Sequence, residues 1–148
     1  MARKTDLISY CGSYCGECPC YTHSIANLAK DLRGEFRRHK FAQFAPVLAK
    51  IPEFKTFNHY DKAYEFLGTI SKMRCKDACK AGGGGASCPI RKCAKKKHVP
   101  GCWKCDDFLA CKTLKVLEKY GDTGRLHLKN LRKIKRIGPA AFARQKAV

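Results

Sequence analysis

Acidic residues are scarce in this chain. Only 12 Asp and Glu stand against 31 Lys and Arg in 148 residues, a formal charge of +19. Such a surface attracts nucleic acid, an anionic membrane or an acidic protein, and net charge alone does not select among them. No apolar run approaches the length of a membrane span. Met1-Ala2-Arg3-Lys4-Thr5-Asp6 leads only into Leu7-Ile8-Ser9-Tyr10, too short for the apolar core of a signal peptide. A cytoplasmic location is therefore expected, where thiols stay reduced. No linker rich in Ser and Pro splits the chain, so a single domain over 1-148 is expected, long enough to bury a core without covalent staples. Neither a spaced Ser/His/Asp set nor paired carboxylates stand out. Nothing argues for an enzyme.

What the chain does have is cysteine. Of eleven, Cys11, Cys15, Cys18 and Cys20 lie within ten residues, and Cys75, Cys79, Cys88, Cys93, Cys102, Cys105 and Cys111 within 37. An odd number in a reducing compartment fits disulfides poorly and metal ligation well. Cys15-x2-Cys18 and Cys102-x2-Cys105 each let one short turn present two thiolates to a tetrahedral ion. Cys11, Cys88, Cys93 and Cys111 can complete sites around them. His98 is a nitrogen donor nearby, although Lys95-Lys96-Lys97 before it reads as a solvated surface. Glycine after Cys11 and Cys15 frees the backbone to turn and aim amides at sulfur. The expected architecture has cysteine-rich ligand loops at 10-20 and 75-111.

Zinc is the expected ion. The alternative is a [4Fe–4S] cluster, because Cys11-x3-Cys15-x2-Cys18 is a spacing with which three thiolates hold one. Two zinc sites of four thiolates each would lower the formal charge to about +15 and leave the surface basic. The Gly82–Gly85 run is no phosphate-binding loop, since Ala86-Ser87 follows rather than Lys and Ser or Thr. It reads as a turn that lets ligand loops meet.

Around these loops the periodicity is helical, and the fold class expected is mainly α. Ile25, Leu28, Ala29 and Leu32 share one helix face, with Thr22 or Ser24 as cap and Gly34 as terminator. Phe36, Phe41 and Phe44 mark a second helix that stops or kinks at Pro46, and Pro52 breaks the pattern. Tyr60, Ala63, Tyr64, Leu67 and Ile70 line a third, with Asn58 as cap. Asp106 and Asp107 suit the start of a helix through Leu109, Leu114, Leu117 and Tyr120, closed by Gly121, with Cys111 near its positive end. Leu128, Leu131 and Ile134 face the core from a last long helix, which leaves Arg125, Lys129, Arg132, Lys133 and Arg136 outside. A short tail helix spans 140–145.

Several of these motifs occur together in one known family. Ile8-Ser9-Tyr10-Cys11-Gly12, Tyr14-Cys15-Gly16-Glu17-Cys18-Pro19, the Gly82–Gly85 run, Cys88-Pro89-Ile90-Arg91-Lys92-Cys93-Ala94, Cys102-x2-Cys105, Cys111 and Asn130-Leu131-x2-Ile134-x2-Ile137-Gly138 follow in order. In these the chain resembles the Domain of Unknown Function 3795 family, small cysteine-rich proteins of bacteria and archaea. It departs from the pattern at Cys75-x3-Cys79, where the family shows Cys-x2-Cys, and Cys20 lies outside the motif. The resemblance implies a metal protein and supplies no activity.

The leading reading is a zinc-stabilised helical domain that binds an anionic partner, nucleic acid or an acidic protein. From Arg91 to Val148 there are 17 Lys and Arg against 4 Asp and Glu, a balance of +13. The second reading is an iron–sulfur protein for electron transfer or redox sensing. The third is a thiol enzyme or metal-delivery protein with an exposed cysteine.

Overall fold

In the computed structural model, which describes residues 3–146, the chain divides into two compact units. One is built from the residues up to Thr22 together with those from Cys75 onward. The other is His23–Arg74, and no Ser- or Pro-rich stretch marks either junction. Helices make up nearly all the regular structure. Among the described residues there is no strand, only an isolated antiparallel bridge between Ile8 and Tyr14. Among the described residues no helix is long and apolar enough to cross a membrane.

The His23–Arg74 unit holds α2 (Ser24–Arg38), α3 (Phe41–Leu48) and α4 (Tyr60–Ile70), with a 3-10 helix over Pro52–His59 running into α4. The apolar periodicity locates α2, but its buried face is a different one. Ala26 and Ala29 are buried, whereas Ile25, Leu28 and Leu32 are 50%, 69% and 43% exposed. Small residues permit close approach: Arg33 lies over the Tyr64 ring at 4.3 Å and against Gly68 of α4, where an added Cβ would meet its Nη1 at 2.9 Å. Gly34 does not end α2, which continues to Arg38; Lys40, with φ +49, makes the break before α3. Pro46 is accommodated inside α3 rather than ending it. Pro52 opens the following 3-10 helix, because a fixed φ suits a first helical position. The aromatic stripe is structural. Phe36 stacks on Phe41 at 5.0 Å, Phe41 meets Phe57 edge-on at 5.6 Å, and Tyr60 stacks on Tyr64 at 5.8 Å.

The other unit holds α1 (Pro19–Thr22), α5 (Pro89–Lys96), α6 (Gly121–Ile137) and α7 (Pro139–Lys146), linked by 3-10 turns. Its core is Ile8, Ile90, Trp103, Phe108, Leu114, Leu117, Leu131, Ile134 and Phe142. Leu131 and Ile134 face inward as their spacing predicts; Leu128 is only partly buried. The helix expected from Asp106 to Tyr120 does not form. Two 3-10 segments, Phe108–Ala110 and Leu114–Tyr120, replace it, and Cys111 sits between them in extended backbone. The physical reason is visible in the burial: Phe108, Leu114 and Leu117 are inside while Leu109 and Tyr120 are 71% and 65% exposed. That pattern is not a single α-helical stripe. Cys111 consequently lacks the helix N-terminus expected to stabilise its thiolate.

Candidate metal centre

All eleven cysteines carry free thiols, two buried and the rest partly so. Backbone hydrogen bonds join the two cysteine-rich stretches despite the length of chain between them. The Cys75 amide donates to the Cys20 carbonyl at 2.8 Å, and the Cys102 amide donates to the Tyr10 carbonyl at 2.9 Å. The Cys79 amide donates to Cys15 Sγ at 3.5 Å, an N–H···S contact of the kind that stabilises thiolate. The loops at 10–20 and 75–111 therefore form one region.

Within that region the thiols fall into two neighbourhoods. Burial pushes the Cys15 thiol up, and the charges of Cys18, Cys75 and Cys11 add to the effect. Burial likewise raises Cys79, with Cys11 and Cys15 as charged neighbours. Cys20 is raised by desolvation, with Cys18 and Cys75 next to it. On the other side, burial and then Cys11, Cys111, Cys105 and Cys93 push Cys102 up to about 12. Mutual repulsion between thiolates is what a bound cation would relieve. Cys88 precedes α5 as its cap and packs partly buried against the core.

Cys11 behaves differently. Burial pushes its thiol up, but His127, the Ser9 hydroxyl and the Ser13 backbone together hold it below the ordinary value. Its Sγ is 3.4 Å from His127 Nδ1 and 3.2 Å from Ser9 Oγ. The contact with Cys11 in turn raises His127, against the opposing pull of burial. His127 is absent from the residues singled out in the sequence. The signal was there: His127, Leu131 and Ile134 follow i, i+4, i+7, so the histidine lies on the core face of α6. His98, by contrast, is exposed in a left-handed conformation just after α5.

The local backbone fixes these groups. Gly12 has φ +84, and a Cβ there would meet the His127 carbonyl at 2.9 Å and Leu131 Cγ at 3.0 Å. Buried Asn130 donates from Nδ2 to the Gly12 carbonyl at 3.0 Å. The Gly82–Gly85 turn is held by Arg91 of α5, itself only 8% exposed. Its guanidinium donates to the carbonyls of Cys79 (3.2 Å), Gly83 (2.5 Å), Gly85 (2.7 Å) and Ala86 (3.4 Å). Lys97 donates to Cys105 Sγ at 3.5 Å and pairs with Asp107 at 3.1 Å.

A family model described as a protein of unknown function, DUF3795, matches residues 7–116. The chain belongs to that family. In this DUF3795 protein the match takes in all eleven cysteines, Cys11 through Cys111, and stops short of α6 and His127. No curated protein and no solved structure matches it.

The donor set suits a soft or borderline ion, since thiolate and imidazole are the ligands zinc takes in structural sites. Among the described residues, however, no group of three or more His, Cys, Asp or Glu side chains already converges on one point where an ion would sit. The thiols are neighbours without being a finished cage.

Four of the basic residues of α6 share one face. Lys129, Arg132, Lys133 and Arg136 line a groove of about 290 Å³. Arg125 stands apart from that groove and pairs with Asp122.

Proposed function

We propose that this DUF3795 protein is a metal-binding protein, with zinc as the ion, whose basic α6 face takes an anionic partner. The observation that supports metal binding is the pairing of the two cysteine-rich stretches through Cys75–Cys20, Cys79–Cys15 and Cys102–Tyr10. Eleven free thiols drawn into one region repel one another as thiolates, and a divalent ion removes that repulsion. On this reading thiols of both stretches turn toward their ions on loading. Loading and final folding of the loops are then one event.

The experiment is metal analysis of protein purified without oxygen. About one or two zinc ions per chain in colourless protein is the expected result. Metal-free protein with full structure in the cysteine loops would refute it. The Cys11-x3-Cys15-x2-Cys18 spacing favours a second reading, a [4Fe–4S] cluster for electron transfer or redox sensing; brown protein containing iron and sulfide would put that reading first.

The anionic partner is proposed from the four cations at i, i+3, i+4 and i+7 on α6, none of which forms an ion pair among the described residues. Nucleic acid is the partner tested, by titrating RNA and DNA oligomers at several salt concentrations.

A further inference from the structure

We infer that His127 is a metal ligand, forming with Cys11 a nitrogen–sulfur edge of one of the sites. The inference rests on the metal-binding reading above and adds a residue that neither the cysteine spacing nor the family match assigns. Its first support is distance. Zinc holds sulfur at about 2.3 Å and imidazole nitrogen at about 2.0–2.1 Å, so two tetrahedral neighbours of these kinds lie about 3.6 Å apart. Cys11 Sγ and His127 Nδ1 are 3.4 Å apart. The two donors stand at the spacing an ion would impose, across a sequence separation of 116 residues.

The second support is rigidity. Both donors are pinned from behind: Gly12 rests on the His127 carbonyl and on Leu131, and Asn130 holds the Gly12 carbonyl. Ser9, itself buried, places its hydroxyl 3.2 Å from Cys11 Sγ. Such an outer hydrogen bond is what orients a metal-bound thiolate. The third support is position. Cys11 is close enough to act electrostatically on Cys79 and Cys102, one from each thiol neighbourhood, so further sulfur donors are at hand. A groove of about 400 Å³ bordered by Cys18, Asn130 and His127 gives an ion a way in.

A mixed nitrogen–sulfur edge also narrows the choice of metal. Cysteine with histidine is an ordinary donor set for tetrahedral zinc, whereas the [4Fe–4S] alternative pairs Cys11 with Cys15 and Cys18 and gives His127 no part in that motif. The ring would bind through Nδ1 and keep its proton on Nε2.

The test is cobalt(II) titration of the full-length reduced protein, with zinc competition, for wild type and for His127→Ala and His127→Cys. Wild type should show tetrahedral cobalt bands and sulfur-to-cobalt charge transfer. Loss of an outer-sphere partner typically costs 10–100-fold in affinity, so loss of a direct ligand in His127→Ala should cost more than about 100-fold at that site. His127→Cys should regain affinity with added charge-transfer intensity, a rescue that a merely structural histidine would not give. Nitrogen NMR of the zinc form should show the Nε2–H tautomer at His127. Wild-type cobalt binding with identical affinity and spectrum in His127→Ala overturns the inference and leaves the cysteine reading standing. Absence of cobalt binding in wild type overturns both.

Discussion

Arg91→Met removes a buried guanidinium while keeping most of the side chain's length. Arg91 is 8% exposed and donates to four backbone carbonyls, two of them at 2.5 and 2.7 Å. Hydrogen bonds from a charged donor contribute about 1.5–3 kcal/mol each, so the two shortest represent roughly 3–6 kcal/mol. Part of that returns in the variant. Gly85 and Ala86 are exposed and their carbonyls can be hydrated, and no charge need be buried. A net loss of about 2–3 kcal/mol is expected. The loss should be local first: Cys79 and Cys88 flank the turn, so amide exchange over 79–88 should accelerate before global unfolding is reached. The measurements are urea unfolding and hydrogen exchange on reduced protein, with Arg91→Lys alongside. Lysine keeps the charge but cannot span carbonyls on both sides, and should recover less than half of the loss. Arg91→Met within about 0.5 kcal/mol of wild type, with unchanged exchange over 79–88, would refute the claim that this arginine organises the turn.

Gly12→Ala should destabilise by about 2 kcal/mol, because a left-handed alanine costs roughly 1–2 kcal/mol and its Cβ would press on the His127 carbonyl; the denaturation midpoint measures this. Complete chelation should raise exchange across 75–111 while α2 and α4 keep their helicity by circular dichroism and exchange; unchanged protection in those loops would count against metal-dependent folding. Cys102→Ser should lower the metal content, whereas Cys20→Ser should leave it nearly intact; the opposite outcome would reverse their roles. Changing Lys129, Arg132 and Lys133 to Gln should flatten the salt dependence of oligonucleotide binding by up to about three phosphate contacts, and an unchanged slope would make the α6 face a solvated surface.

Helix positions were legible in the sequence wherever apolar residues recur at helical spacing, as in α2, α4 and α6. Facing was less legible. In α2 the large residues Ile25, Leu28 and Leu32 carry the periodic signal, yet Ala26 and Ala29 are the buried ones, because close approach rewards small side chains. The segment 106–120 misled for a related reason: an acidic start and spaced leucines also describe two 3-10 turns separated by an extended Cys111. For the candidate centre, the spacing marked the cysteines but not which stretches meet, since the bonds from Cys75 to Cys20 and from Cys102 to Tyr10 are long-range. Arg91 and His127 were hidden by their company. One sits in a basic run and the other among the cations of α6, and only burial separates them from solvated neighbours.

The order of the cysteine-bearing segments along the chain has a consequence in time. Cys11 must wait for His127, 116 residues later, before the two can meet. At 5–20 residues per second, synthesis leaves the first loop without that partner for about 6–23 seconds. The His23–Arg74 unit is completed within this interval and has its own aromatic cluster to form. The nascent N-terminal thiols thus pass through a stage of fuller exposure than in the finished protein, where Cys15 is buried and Cys11, Cys18 and Cys20 partly so, and oxidants or stray metal ions have their best chance during synthesis.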